Sequence, residues 1–155
     1  MSDHKQALYL EDLTVGQRFV SETHTVEASS IKSFAQEFDP QPFHLDAEAA
    51  KDTIFAGLAA SGWHTAAITM RLLVTGGLPI KGGIVGAGGE LSWPRPTRPG
   101  DVLHVESEVI EITPSRSRPD RGMAIVRSET RNQNGEIVQI FTAKVVVPRR
   151  PAAAQ

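Results

Sequence analysis

There is no cysteine in this chain. That excludes disulfides, thiolate metal sites and a thiol nucleophile. Nor is there an excess of charge: sixteen Lys and Arg stand against eighteen Asp and Glu, a formal net charge of −2. A duplex-binding surface needs clustered, uncompensated cations, and this balance does not point to one. No stretch runs to about eighteen apolar residues. The opening MSDHKQALYLEDL is polar and lacks the apolar core of a signal peptide. The expectation is a cytoplasmic protein with neither membrane nor nucleic acid among its partners. What is present is ordinary globular material. Its 155 residues, 40% of them apolar, suffice for one domain or for one subunit that completes itself by pairing. No linker, repeat or low-complexity tract interrupts it. Residues 1–155 therefore read as a single domain with its core over about 9–147 and with frayed ends, the second of them PRRPAAAQ.

Along the chain, GQRFVSETHTV (16–26) mixes β-branched and aromatic residues with polar ones and predicts a strand. In the following stretch Ile31, Phe34, Ala35 and Phe38 fall on one helical face. Ser29 or Ser30 is placed to cap that helix, and Pro40 stops it, because a residue before proline disfavours α geometry. Asp39 thus sits at the helix C-terminus. Residues 46–52 offer one or two further turns, with Asp46 as their N-cap. The longest apolar segment, 54–77, predicts a helix from Leu58 to Val74, opened by Gly57 and ended by Gly76-Gly77. Only Arg71 in it is charged, and a helix apolar nearly all round is a buried one. Beyond residue 83 the pattern turns to strand. GGELSWPRP is interrupted by prolines, 101–112 alternates, and two more runs flank Asn134-Gly135, a strong hairpin signal. The polar, proline-rich 113–122 reads as loop. A sheet curled round one long helix is the economical arrangement, and its bare face and edges call for a second subunit.

The residues with chemistry to offer cluster in EFDPQPFHLD (37–46). An anion at a helix C-terminus meets the negative end of the dipole, and apolar surroundings would raise its pKa further. His44 follows five residues later, across two prolines that stiffen the connection. Together Asp39 and His44 suit an acid/base pair converging on one water. A helix end followed by a surface turn is the alternative that spacing alone leaves open. His44 and Asp46 have no third metal ligand at useful spacing, the other histidines (4, 24, 64, 104) being scattered. No metal is expected. Gly57, at the predicted helix start, would offer free N–H groups to an oxygen on which charge develops; close packing is the plainer role. Thr65 would present a hydroxyl two turns into the helix or bond back to it. GGIVGAGGE (82–90) fails as a phosphate loop, since no Lys-Ser/Thr and no helix follow it. Arg95, Arg98, Arg116, Arg118 and Arg121 lie in loops or strand ends, where they serve either phosphates or solvent.

FAQEFDPQPFHLDAEAA, IFAGLAASGWHTAA and GELSWPRPTRPGDVLHVESEV together resemble the MaoC-like dehydratases, relatives of the (R)-specific enoyl-CoA hydratases. The D-x-x-x-x-H-x-D core carries most of that resemblance. It implies an α+β hot-dog fold, with a curved antiparallel sheet wrapped around one long central helix, and a homodimer or higher homo-oligomer. It implies reversible addition of water to a trans-2-enoyl-CoA, giving an (R)-3-hydroxyacyl-CoA. By that resemblance Asp39 and His44 are the catalytic pair, Gly57 binds the thioester carbonyl, and Thr65 stands where several members have serine. No cofactor is implied, since CoA enters as part of the substrate. Two departures are Gln41, where members often carry Asn, and Ala56, where many have His before the helix glycine. A hot-dog thioesterase is the neighbouring reaction class, but no Asp or Glu lies between Ile54 and Val74 to serve it. A non-catalytic acyl-CoA-binding subunit is the third, and it would have no need of both Asp39 and His44.

Overall fold

The computed structural model describes residues 6–152; His4 and the extreme ends lie outside them. Six antiparallel strands form one open, curved sheet around one central helix, the expected hot-dog arrangement. The strands are β1 (Arg18–Val20), β2 (His24–Thr25), β3 (Val85–Ser92), β4 (Val102–Pro114), β5 (Arg121–Arg131) and β6 (Ile137–Pro148). Their order across the sheet is β1-β4-β5-β6-β3, with β2 also pairing to β4. Alternation decides which side faces in: Leu103, Val105 and Val109 of β4, with Ala124 and Val126 of β5, are buried. Bulges between Val109 and Glu111 and between Gly86 and Gly88 bend the strands around the helix. The Asn134-Gly135 hairpin is present, with Gly135 at φ 76° and Asn132 N–H bonded to the Glu136 carbonyl.

Several element boundaries differ from expectation, each for a local reason. The strand predicted over 16–26 splits into β1 and β2, because Ser21 uses its hydroxyl to accept from Val105 N–H. Helix α1 (Ala28–Phe38) starts at Glu27 with no side-chain cap, and Ser29 and Ser30 lie within its first turn. Ile31 and Ala35 are buried as predicted, but Phe38 is 64% exposed, its ring tilted against that of Phe34. The loop predicted over 113–122 is shorter, since Thr113-Pro114 and Arg121-Gly122 pair as strand. The C-terminal PRR is not frayed as expected. Arg150 forms an ion pair with Asp12 at 2.7 Å and lies over the Tyr9 ring, while Arg149 reaches Glu11.

The largest difference concerns the central helix. α4 spans Gly62–Leu72, not Leu58–Val74, and a wider turn over Leu73–Gly77 ends it where Gly76 takes φ 136°. Residues 58–60 are apolar and buried but lie outside the helix, so hydropathy alone does not separate them from it. α4 is also not buried all round. His64, Thr65, Ile68, Thr69 and Leu72 are buried, whereas Trp63 and Met70 are exposed. Among the described residues no helix is long and apolar enough to cross a membrane.

Candidate active site

Two short helices follow α1: α2 (Pro42–Leu45) and α3 (Ala47–Ala50). Pro40 ends α1, so that Asp39 becomes its C-cap, with its N–H bonded to the Ala35 carbonyl. Pro42 occupies the first turn of α2, where a missing N–H costs nothing. Asp46 caps α3 through Glu48 and Ala49 N–H, the role the sequence predicts for it. Among the described residues, no three His, Asp or Glu side chains gather as a metal set.

This folding sets His44 Nε2 3.3 Å from Asp39 Oδ2. The other ring nitrogen, Nδ1, donates to the Ala59 carbonyl at 2.6 Å. A carbonyl only accepts, so Nδ1 keeps its hydrogen and Nε2 is the atom that gains or loses a proton. His44 is buried, and its ring packs edge-on against Phe43. Burial pushes the Asp39 carboxyl upward. Hydrogen bonds from the Ser61 and Gln41 side chains and the neighbouring His44 outweigh it, and hold the group below its ordinary value. The sequence-based expectation of a raised pKa is thereby reversed: Asp39 is an ionised carboxylate at neutral pH, held by hydrogen-bond donors. Gln41 Nε2 donates to Asp39 Oδ1 directly.

Next to the pair lies a cavity of about 300 Å³, lined by His44, Gly62, Thr65, Trp93, Arg95 and Thr97 among others. Of the predicted substrate-binding residues, Thr65 lines it. Thr65 is buried and its hydroxyl donates to Thr97 Oγ1 at 2.9 Å. Gly57 does not line it. Its N–H is bonded to the Ala50 carbonyl, its φ is 154°, and its carbonyl accepts from Arg98 Nη1 at 3.1 Å. Gly57 therefore belongs to a turn five residues before the helix, not to the helix start. Arg98 also donates to the Leu58 and Phe55 carbonyls, clamping that turn. Of the other loop arginines, Arg95 lines the cavity and pairs with Glu136, and Arg121 pairs with Asp120.

The helix start that faces the cavity is Ser61-Gly62. Ser61 is fully buried, caps α4 by accepting from Trp63 N–H, and donates toward Asp39. The residue before the helix glycine is thus Ser61, so the departure from the family's His stands at Ser61 and not at Ala56. Sequence reading missed both residues, although a serine directly before a helical run is an N-cap signal. The apolar Leu58-Ala59-Ala60 ahead of it masked that signal. A free backbone N–H at Gly62, at the positive end of an 11-residue helix, faces the same space as His44. Such an array can take a proton from water, return one to carbon, and stabilise an oxyanion.

The profile of the MaoC like domain family matches residues 12–131. The chain is 31% identical over 149 residues to the 3-hydroxybutyryl-CoA dehydratase of Methylorubrum extorquens, covering 96% of this chain and 89% of that one. Among solved structures it is similar to a MaoC-like dehydratase from Rhodospirillum rubrum, with 69% identity, TM-score 0.93, and coverage of 94% and 100%. It is also similar to the R-hydratase PhaJ1 from Pseudomonas aeruginosa, with 29% identity, TM-score 0.75, and coverage of 96% and 93%.

Proposed function

This chain belongs to the family of MaoC-like dehydratase domains, and on that premise we propose that it interconverts a trans-2-enoyl-CoA and the (R)-3-hydroxyacyl-CoA. The observation that carries the reading is the 3.3 Å pairing of His44 Nε2 with Asp39, beside a cavity that opens onto a helix N-terminus. A conjugated thioester is electrophilic at its β-carbon. Water positioned by the pair gives up a proton as its hydroxyl adds there, and the α-carbon receives a proton, so nothing is consumed but water. The two groups act as one unit, since a proton accepted by either is one transfer from the other. Gly62 N–H, rather than that of Gly57, is the donor placed to hold the enolate oxygen. Thr65 shapes the cavity wall through its bond to Thr97. Reports of a 3-hydroxybutyryl-CoA dehydratase and an R-hydratase among similar proteins support this substrate class and stereochemistry.

The test is loss of enoyl-thioester absorbance with crotonyl-CoA, followed by chiral analysis of the product. Asp39→Asn and His44→Ala should each lower kcat/KM by about 10²–10⁴-fold with the fold retained by circular dichroism. Undiminished hydration by both variants would remove the pair from the mechanism. We also propose a homodimer joined along β3, an edge strand exposed over most of its length. Sedimentation equilibrium decides it, and a monomer at micromolar concentration would rule it out.

A further inference from the structure

Helix α4 runs beneath three cavities in succession. The first is the 300 Å³ space beside His44. A second, of about 390 Å³, is lined by Trp63, Thr69, Met70 and Gln139 among others. A third, of about 270 Å³, includes Met70, Leu73, Leu78 and Val145. The second and third share Met70, Gly89 and Phe141, and so adjoin as apolar spaces along the helix. The first and second share no lining residue.

Trp93 stands between them. It lines the first cavity, and its Nε1–H donates to Gln139 Oε1, on the wall of the second, at 2.9 Å. Its ring meets Trp63 edge-on, with centroids 5.4 Å apart. It also lies directly on the start of α4: a Cβ placed on Gly62 would sit 2.6–2.7 Å from three indole carbons. No methylene passes between helix and ring. Although 40% exposed on its outer side, the indole is latched. Gln139 is 1% exposed and donates to Thr69 Oγ1, which in turn pairs with Thr130 Oγ1 at 2.6 Å. A buried polar network with its members satisfied is a rigid support.

We propose that Trp93, latched by Gln139, is the wall that ends the acyl site and confines the enzyme to short enoyl thioesters of the crotonyl class. This rests on the hydratase reading above. Removing the wall would open the site toward the apolar spaces along α4, whose lining has the chemistry to take a longer acyl tail.

The experiment compares kcat/KM for crotonyl-CoA and trans-2-dodecenoyl-CoA in the wild type, Trp93→Ala, Trp93→Phe and Gln139→Leu. Calorimetry with the saturated butyryl- and dodecanoyl-CoA provides a readout that needs no turnover. The wild type should favour the short substrate by about ten-fold or more, and Trp93→Ala should move that ratio toward the long one by about as much. Trp93→Phe, which keeps an aromatic ring but loses the N–H that binds Gln139, should shift the ratio toward the long substrate by less than Trp93→Ala. Gln139→Leu, which cuts the latch and keeps the ring, should shift it in the same direction as Trp93→Ala and by less. A wild type that prefers dodecenoyl-CoA, or a ratio unmoved in both Trp93→Ala and Gln139→Leu, overturns the assignment. Should Trp93→Ala fail to fold, the Gln139→Leu ratio decides. If no variant hydrates either substrate, the hydratase reading fails, while the binding ratios still judge Trp93 by themselves.

Discussion

Removing one oxygen, in Ser61→Ala, should injure fold and chemistry together, and the two losses can be separated. The Ser61 hydroxyl accepts from Trp63 N–H at the start of α4 and donates toward the Asp39 carboxylate. Loss of an N-cap costs about 1 kcal/mol, and loss of a hydrogen bond to a charged group about 1.5–3 kcal/mol. The combined destabilisation near neutral pH should be about 2.5–4 kcal/mol before non-additivity is allowed for. Because Asp39 is held below its ordinary value in the fold, its contribution is present above the unfolded carboxylate pKa. It disappears as pH falls through the lowered folded value. The gap between wild type and Ser61→Ala should therefore narrow in acid. The low-pH limb of kcat/KM should move upward in pH, because Asp39 has lost a donor. Ser61→Gly separates the two roles, since glycine caps within a few tenths of a kcal/mol of serine yet offers Asp39 nothing. It should recover the cap part of the stability while keeping the displaced pH limb. Denaturant unfolding at several pH values, with the pH profile of crotonyl-CoA hydration, makes the comparison. If Ser61→Gly restored the wild-type pH profile, the hydroxyl would not be acting on Asp39.

Arg98→Ala leaves the Phe55, Gly57 and Leu58 carbonyls without their donor. It should cost about 2–4 kcal/mol in denaturant unfolding. Lysine should restore little, lacking the planar fork. Gly62→Ala drives a Cβ into the Trp93 ring and should destabilise by about 1–3 kcal/mol; a silent variant would show that the ring is free to move. Burial raises the Glu129 carboxyl, but Arg131 and Arg127 overcome it and hold the group below its ordinary value. Its stabilisation is thus present above the ordinary glutamate range and lost as pH falls through the folded value. Glu129→Gln should flatten the acid side of the stability curve and leave the alkaline side alone.

Much of the local structure was written in the order of residues. Pro40 stopping α1 on Asp39, Asp46 capping α3, and Asn134-Gly135 turning the last hairpin each depend on a few neighbouring residues, whose dihedral preferences act wherever the chain goes. The inward alternation of β4 was equally legible, as a period of two over one strand. The Asp39–His44 pair was suggested by a spacing of five positions across two prolines and singled out by the resemblance to the family motif. Its electrostatics were not found, since Ser61, which lowers Asp39 ahead of the local Gln41, is brought in from 22 residues away by packing.

The start of the central helix could not be read for a related reason. Leu58, Ala59 and Ala60 are buried whether they coil or extend. The docking of Ala59 on Phe43 and His44, of Ala60 on Thr97, and of Arg98 on the Leu58 carbonyl keeps them out of the helix. That displacement carries the candidate oxyanion donor from Gly57 to Gly62. Trp93 over Gly62, and Gln139 behind Trp93, belong to the same class of fact: contacts between residues 31 and 46 positions apart. Periodicity and turn chemistry act over one element at a time, whereas such contacts are chosen by how the sheet closes on the helix. The candidate pair, Asp39 and His44, was legible in the chain alone; the charge on Asp39, the neighbours of both groups and the space beside them were decided by the fold.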